Sequence, residues 1–133
     1  MRWVRPLILL TMGLALSLGH AAAAELAMFR RDGCPYCAAW DREVGPIYGR
    51  SEIGRRAPLR MVDIHRDRHA IALAGPVIYT PTFVLVDEGR EIGRIEGYPG
   101  EDFFWGLLER LLQKLPPGPA SGLSDAVSPT SSR

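Results

Sequence analysis

Four short runs of β-branched and other apolar residues predict β-strands along the chain. In chain order they read ELAMF, PLRMVDI, PTFVLV and REIGRI. Only DEG separates the last two runs, so we predict that they pair as a hairpin. Each run is bounded by glycine, proline or charged residues, as strands of a buried sheet usually are.

Three longer segments predict helices between and after these strands. The first, CPYCAAWDREVGPIYG, places Trp40, Val44 and Ile47 on one stripe, although Gly45 and Pro46 must kink or end it. A weaker helical pattern covers residues 67–74. The third segment, GEDFFWGLLERLLQKL, has an apolar face and leaves Trp105 off it, where we expect the indole to be half exposed. That face comprises Phe103, Phe104, Leu107, Leu108, Leu111, Leu112 and Leu115.

The order of these elements predicts the fold class. Strand, helix, strand, helix, hairpin and helix follow one another, which is typical of an α/β domain. We therefore expect a central mixed β-sheet of about four strands flanked by helices, spanning residues 25–115.

The N-terminus has the pattern of an export signal. Two arginines precede an uncharged run of 12 residues, Leu7–Leu18, and small residues follow at Ala21–Ala24. These are the parts of a secretory signal peptide, so we expect residues 1–24 to be removed and the protein to reach a bacterial periplasm. The alternative is an uncleaved anchor, but polar residues dilute the run and a membrane span needs about 20 strongly apolar residues.

Composition indicates a tail at the C-terminus and restricts the classes of partner that the domain can attract. Residues 116–133 consist mainly of Pro, Gly, Ser and Ala, and we expect them to form a disordered tail. Residues 25–115 carry 13 basic and 14 acidic side chains, a net charge of −1 with His neutral. This balance gives no strong field for nucleic acid or an anionic membrane, so neither is an expected partner.

Both cysteines of the chain lie in the motif CPYC. Cys34 falls where the first strand joins the first helix, and unpaired N–H groups at a helix N-terminus stabilise a thiolate. Pro35 suits the first helical turn because its missing N–H would be unused there. Cys37 lies on the same side of that turn, within reach of a disulfide. The motif therefore predicts one activated thiol and one partner that closes on it.

Three other roles for the cysteines have less support in the sequence than a catalytic dithiol. A structural disulfide across two residues restrains little chain. A zinc site needs two more ligands, and the available pair, His65 and His69, lies among charged residues typical of a solvated surface. Attachment of c-type haem requires a histidine after the second cysteine, where Ala38 stands. We therefore expect a catalytic dithiol with no metal and no cofactor.

The motifs CPYC and YTPTFVLV resemble those of the thioredoxin superfamily, over residues 25–115. The resemblance implies a thioredoxin-like fold in which Pro81 is preceded by a cis peptide bond and lies against the Cys34–Cys37 disulfide. It also implies that the backbone of Thr80 is exposed beside Cys34 to pair with an extended substrate. One departure is Met28, which stands where thioredoxin has a buried aspartate that helps move protons to the second cysteine.

Longer stretches resemble a narrower group, the periplasmic thioredoxin-like proteins encoded with bacterial sulfur-oxidation systems. These stretches are WDREVGPIY, APLRMVDI and TPTFVLVDEGREIGRIEGYPGEDFFWGLL. The resemblance implies a thiol–disulfide reductase of protein disulfides that keeps the cysteine of a sulfur-carrier protein active. It further implies that a membrane thiol-reductase donates the electrons.

In the predicted mechanism, Cys34 is the nucleophile and Cys37 is the resolving cysteine of the redox-active disulfide. Five residues are expected to contact the substrate: Pro35, Tyr36, Thr80, Pro81 and Tyr98. For Tyr98, in the loop GYPG, an alternative role is that of an aromatic residue anchoring the last helix.

Several alternatives for the function stay open at this point. The dipeptide Pro35-Tyr36 is typical of glutaredoxins, so a glutathione-dependent reductase is one of them. A dithiol oxidase or isomerase is another, because the motif leaves the reduction potential undetermined. A non-catalytic binding module is a third. We expect a monomer, since a third cysteine for covalent dimerisation is absent from the sequence.

Overall fold

The computed structural model describes residues 24–67 and 71–116. The predicted signal peptide and tail lie outside these residues, apart from one residue at each boundary. The described residues form strands β1 (Glu25–Arg30), β2 (Leu59–Asp63), β3 (Thr82–Asp87) and β4 (Arg90–Glu96), and helices α1 (Pro35–Glu43), α2 (Gly45–Tyr48), α3 (Glu52–Arg56) and α4 (Glu101–Leu112). Within the same ranges, none of the helices has the length and apolar character needed to span a bilayer.

The four strands form one mixed sheet in the order β2-β1-β3-β4, which confirms the predicted fold class. β1 pairs in parallel with β2 and antiparallel with β3, and β3 and β4 form the predicted hairpin. The sheet has a hydrophobic core on each face, and alternate residues of β1 pack into one or the other. Leu26 and Met28 lie on the face covered by the helices, and Ala27 and Phe29 lie on the opposite face. Because both faces are covered, nearly every residue of the central strands is apolar.

The first predicted helix is divided into two. α1 ends at Glu43 and α2 begins at Gly45, so the predicted interruption by Gly45 and Pro46 is present. The expected inward position of Ile47 was wrong: its side chain is 40% exposed, and Tyr48 is buried instead. The break between the two helices shifts the helical phase, so Tyr48 points inward and its hydroxyl donates a hydrogen bond to Ala57 O at 2.7 Å.

The predicted weak helix over residues 67–74 was also wrong in its described part, because residues 71–74 contain no helix. Residues 68–70 lie outside the described ranges. Ala72 instead forms an isolated bridge with Arg90, in which Ala72 N–H donates to Gly89 O and Glu91 N–H donates to Ala72 O, both at 3.1 Å. Backbone groups bonded to β4 are not available for helical hydrogen bonds.

The apolar face of α4 is narrower than the sequence pattern predicts. Phe104, Leu108, Leu111 and Leu112 are buried against the sheet. The expected burial of Phe103 and Leu107 was wrong, since their side chains are 72% and 37% exposed. Both lie one residue outside the buried row, and successive helical positions are turned by about 100°.

Trp105 is partly buried, as expected for a residue beside the apolar face of α4. Its ring stacks on Tyr48, with centroids 5.9 Å apart. This contact joins α4 to α2.

The centre of the larger core is Trp40, whose side chain is fully buried. Its ring contacts those of Tyr48, Phe83 and Phe104, with centroids 5.9, 5.5 and 5.9 Å away. These neighbours come from α2, β3 and α4. Trp40 therefore fixes α1, the helix that carries Cys37, against both the sheet and the other helices.

Candidate active site

The two cysteines form a disulfide at the N-terminus of α1, with their Cα atoms 5.3 Å apart. Cys34 is the N-cap residue and has extended backbone angles, and Pro35 is the first helical residue. The N–H of Cys37 donates a hydrogen bond to Cys34 Sγ at 3.2 Å. When the pair is reduced, this N–H and the helix dipole both stabilise negative charge on the Cys34 sulfur.

The two sulfur-bearing residues differ in accessibility. Cys34 is 6% exposed, whereas Cys37 is 1% exposed. Cys34 also lines a surface pocket, together with Gly33, Pro35 and Ala38, whereas Cys37 does not line it. Cys34 is therefore the more accessible of the two, and its assignment as nucleophile with Cys37 as resolving cysteine stays a prediction.

The start of β3 packs against the disulfide. The peptide bond between Thr80 and Pro81 is cis. Thr80 O lies 3.4 Å from Cys34 Sγ, a contact without a hydrogen bond while the sulfur is in the disulfide. Gly97 N–H donates to Pro81 O at 2.7 Å, so the end of β4 also reaches this point. The site thus forms where α1 begins, β3 begins and β4 ends.

An exposed apolar rim adjoins the two segments that form the site. Tyr36, beside the disulfide in sequence, is 63% exposed, and Ile78 and Tyr79, directly before Thr80, are 69% and 60% exposed. Tyr36 is predicted by the CPYC motif, whereas Ile78 and Tyr79 are not among the predicted site residues. One sequence feature could have identified Ile78 and Tyr79 as site residues. They are two apolar residues directly before the Thr-Pro motif, and they do not belong to a predicted strand. Exposed apolar side chains in a group are a common feature of protein-binding surfaces.

Two of the predicted contact residues, Pro81 and Tyr98, are buried and offer a substrate little surface. The side chain of Tyr98 is 9% exposed and packs with Phe104 of α4, with ring centroids 6.1 Å apart. Its hydroxyl donates a hydrogen bond to Glu43 Oε2 at 2.5 Å. Burial, together with this bond, raises the pKa of Tyr98, so the phenol stays protonated as a donor. Tyr98 thereby links the loop after β4 to the end of α1.

The core beneath the disulfide holds Met28 in place of a carboxylate. Met28 is fully buried in the same cluster as Cys34 and Cys37. Asp41 of α1 is paired with Arg30 through two bonds, Nη1 to Oδ1 at 2.9 Å and Nη2 to Oδ2 at 2.7 Å. Among the described residues, Thr82 is the one buried polar residue, so no buried aspartate or glutamate stands near Cys37.

No cluster suited to a metal ion occurs among residues 24–67 and 71–116, counting groups of three or more His, Cys, Asp or Glu side chains. His65 is exposed at the end of β2. His69, the other histidine of the candidate zinc pair, lies outside the described residues.

Comparison with known proteins agrees with this fold. Residues 19–112 match the family model of the thioredoxin-like domain. The chain belongs to the thioredoxin-like family, and its Cys34–Cys37 pair makes it a thiol–disulfide oxidoreductase.

Among solved structures, the chain is similar to the periplasmic thioredoxin SoxS from Paracoccus pantotrophus in its reduced form. The two are 48% identical with a TM-score of 0.65, over 68% of this chain and 97% of that one. Fasciola hepatica thioredoxin is 18% identical with a TM-score of 0.49, over 65% of this chain and 79% of that one. Malassezia sympodialis thioredoxin is 17% identical with a TM-score of 0.47, over 66% and 74%. No curated protein matches the chain.

Proposed function

We propose that the protein is a periplasmic reductase of protein disulfides, exported by residues 1–24, with residues 25–115 as its catalytic domain and 116–133 as a disordered tail. The observation that carries the proposal is the accessible Cys34 sulfur, 3.4 Å from the Thr80 carbonyl and beside exposed apolar residues. A small disulfide needs only the sulfur, whereas a polypeptide also uses the adjoining backbone and apolar rim.

The proposed reaction proceeds in two exchanges. Cys34 thiolate attacks one sulfur of the substrate disulfide, forms a mixed disulfide and releases the other substrate sulfur as a thiolate. Cys37, after loss of its proton to water, attacks Cys34 Sγ and releases the second substrate thiolate. Two electrons have then passed to the substrate, and the Cys34–Cys37 disulfide remains. A membrane thiol-reductase restores the dithiol by donating two electrons.

The assignment of substrate contacts follows from position. The Thr80 carbonyl lies beside Cys34 Sγ and Pro81 follows it in the chain, Pro35 and Tyr36 begin α1, and the Tyr98 hydroxyl binds Glu43. We propose that Pro35, Tyr36 and the Thr80 backbone contact the substrate directly, and that the buried residues Pro81 and Tyr98 support this surface.

The substrate we propose is a sulfur-carrier protein whose cysteine has been trapped as an unwanted disulfide. The 48% identity to a periplasmic thioredoxin named SoxS supports both the compartment and the link to sulfur oxidation. The periplasm is an oxidising compartment, so a carrier cysteine there requires a dedicated reductant.

The rate of insulin reduction with two different reductants distinguishes this proposal from the glutaredoxin-like alternative. We expect the chain from residue 25 onward to accelerate insulin reduction when dithiothreitol supplies electrons, with glutathione alone supporting much less. The same protein should release glutathione from a sulfur-carrier protein blocked as its glutathione mixed disulfide. Comparable rates with glutathione would favour the glutathione-dependent alternative, and no acceleration with either reductant would contradict the proposed reductase.

A further inference from the structure

Residues 71–80, here called the 71–80 segment, cover one face of the sheet and lead directly into the active site. Ile71, Leu73 and Val77 pack against the core on that face. The segment then presents Ile78 and Tyr79 to solvent and places Thr80 O beside Cys34 Sγ. Its conformation therefore determines the shape of the surface next to the accessible sulfur.

The 71–80 segment has little regular structure to hold it. Ala72 forms one isolated bridge to β4, and within the described part of the chain no further hydrogen bond joins the backbone of residues 73–80 to another backbone group. A segment with so few backbone bonds opens locally at low free-energy cost unless side chains hold it.

Side chains supply further bonds to the segment: the Thr82 hydroxyl donates to Tyr79 O at 2.7 Å, and Arg94 binds the middle of the segment. Its Nη2 donates to Gly75 O and its Nη1 donates to Pro76 O, each at 3.0 Å. The same guanidinium binds Glu91 through Nε–Oε1 and Nη2–Oε2 contacts of 2.6 and 2.7 Å. Glu91 Oε2 in turn accepts a hydrogen bond from Ala74 N–H at 2.8 Å. Arg94 and Glu91 thus bind three consecutive residues of the segment.

The pair is well shielded and geometrically specific. The Arg94 and Glu91 side chains are 16% and 4% exposed. A planar guanidinium can bind a carboxylate and two carbonyl oxygens in fixed directions, which an ammonium group cannot do. Partial burial limits screening of this pair by solvent.

A β-bulge brings the two side chains together. Residues three apart in a regular strand point to opposite faces of a sheet. In β4, however, Gly93 is opposite Leu85 and Glu91 is opposite Val86, so Ile92 is an extra residue. This insertion places Glu91 and Arg94 on the same face, which is the face that the 71–80 segment covers.

We propose that Arg94, oriented by Glu91, is a positioning residue for protein substrates: it fixes the 71–80 segment so that Ile78, Tyr79 and the Thr80 backbone form a preorganised docking surface. The inference rests on the proposed reductase function. A polypeptide substrate binding to a loosened segment must bear the entropy cost of ordering it. A small disulfide that contacts only Cys34 Sγ bears none of that cost.

The test compares a protein substrate with a small one in the Arg94→Met variant, which keeps an apolar stem and lacks the guanidinium. We expect KM for insulin to rise about fivefold to tenfold, the factor expected from losing preorganisation of a few residues. We expect kcat for insulin and the rate with 5,5′-dithiobis(2-nitrobenzoate) to change by less than about twofold. Arg94→Lys should be intermediate because an ammonium can replace only part of the bond set.

Arg60→Met is the matched control. Arg60 also forms an ion pair, with Glu25 at 2.8 Å, but it joins β2 to β1 and, among the described residues, forms no hydrogen bond or ion pair with the 71–80 segment. Its KM for insulin should equal that of the wild type. Circular dichroism should show all variants folded at the assay temperature; if Arg94→Met is unfolded, Arg94→Lys is judged by the same KM criterion.

Each result is decisive. An unchanged KM in the folded Arg94 variant, or equal loss with insulin and the small disulfide, would overturn the positioning role. A wild-type protein that reacts with the small disulfide but not with insulin would instead overturn the proposed function, and the inference with it. An increase in KM confined to insulin and to the Arg94 variants supports the inference.

Discussion

Replacing Cys34 by serine should abolish disulfide reduction, lowering the insulin-reduction rate by at least about 100-fold, because a serine oxygen cannot form the mixed disulfide. Cys34 is the more exposed cysteine, and its Sγ is the atom that the Cys37 N–H and the Thr80 carbonyl both approach. Cys37→Ser should also lose turnover, but for a different reason. In that variant Cys34 can still attack a substrate, but no resolving cysteine is present to release the substrate from the mixed disulfide.

The two single variants should therefore differ in what they accumulate. Cys37→Ser mixed with an oxidised protein substrate should form a stable, reductant-sensitive adduct through Cys34, visible by mass spectrometry. Cys34→Ser should form far less, and the double variant is the control that should form none. Full activity in Cys34→Ser together with its loss in Cys37→Ser would reverse the assigned roles. A partner-binding function that survives in Cys34→Ser would favour the non-catalytic module.

Replacing Trp40 by alanine should have the largest effect on stability, about 3–5 kcal/mol, which is typical for deleting a buried large aromatic side chain. The Trp40 side chain is fully buried and its ring contacts three others. The loss is a large fraction of a typical domain stability of about 5–15 kcal/mol. Urea unfolding followed by far-UV circular dichroism measures it directly. Because Trp40 lies one helical turn after Cys37, the loss should also loosen α1 beneath the disulfide.

Trp40→Phe separates ring packing from hydrogen bonding. Trp40 Nε1 is buried and has no hydrogen-bond partner among the described residues. Phenylalanine therefore removes volume and an unsatisfied donor but breaks no bond, and we expect a loss below about 1.5 kcal/mol. A loss in Trp40→Phe equal to that in Trp40→Ala would contradict the view that ring packing is the main contribution of this residue.

Most of the fold was predictable from local sequence patterns. The apolar runs and the DEG turn predict the sheet and the hairpin, because two such runs joined by a short turn usually form paired strands. The position of the cysteines at the start of α1 follows from the boundary between the first strand and helix. Residues 71–74 were predicted wrongly because their hydrogen bonds go to β4, and such long-range pairing overrides a weak helical pattern.

The surroundings of the site were less predictable. Tyr36 is identified by the CPYC motif, but Ile78 and Tyr79 become part of the site only when β3 packs against α1. Arg94 and Glu91 share a face because of the bulge at Ile92, and strand periodicity alone places them on opposite faces. The inward shift from Ile47 to Tyr48 depends on the break after α1. The last two features depend on a change in register or phase that a regular pattern does not reveal, whereas the first depends on contacts between segments far apart in the chain.

The most direct test of the central claim is the equilibrium reduction potential of the Cys34–Cys37 couple. Titration of the chain from residue 25 onward against dithiothreitol or glutathione redox buffers measures it. The reductase proposal predicts a value of about −250 mV, at the reducing end of the range of about −270 to −120 mV known for related dithiols. A value of about −120 mV would identify a dithiol oxidant that introduces disulfides, and would contradict the proposed direction of electron flow.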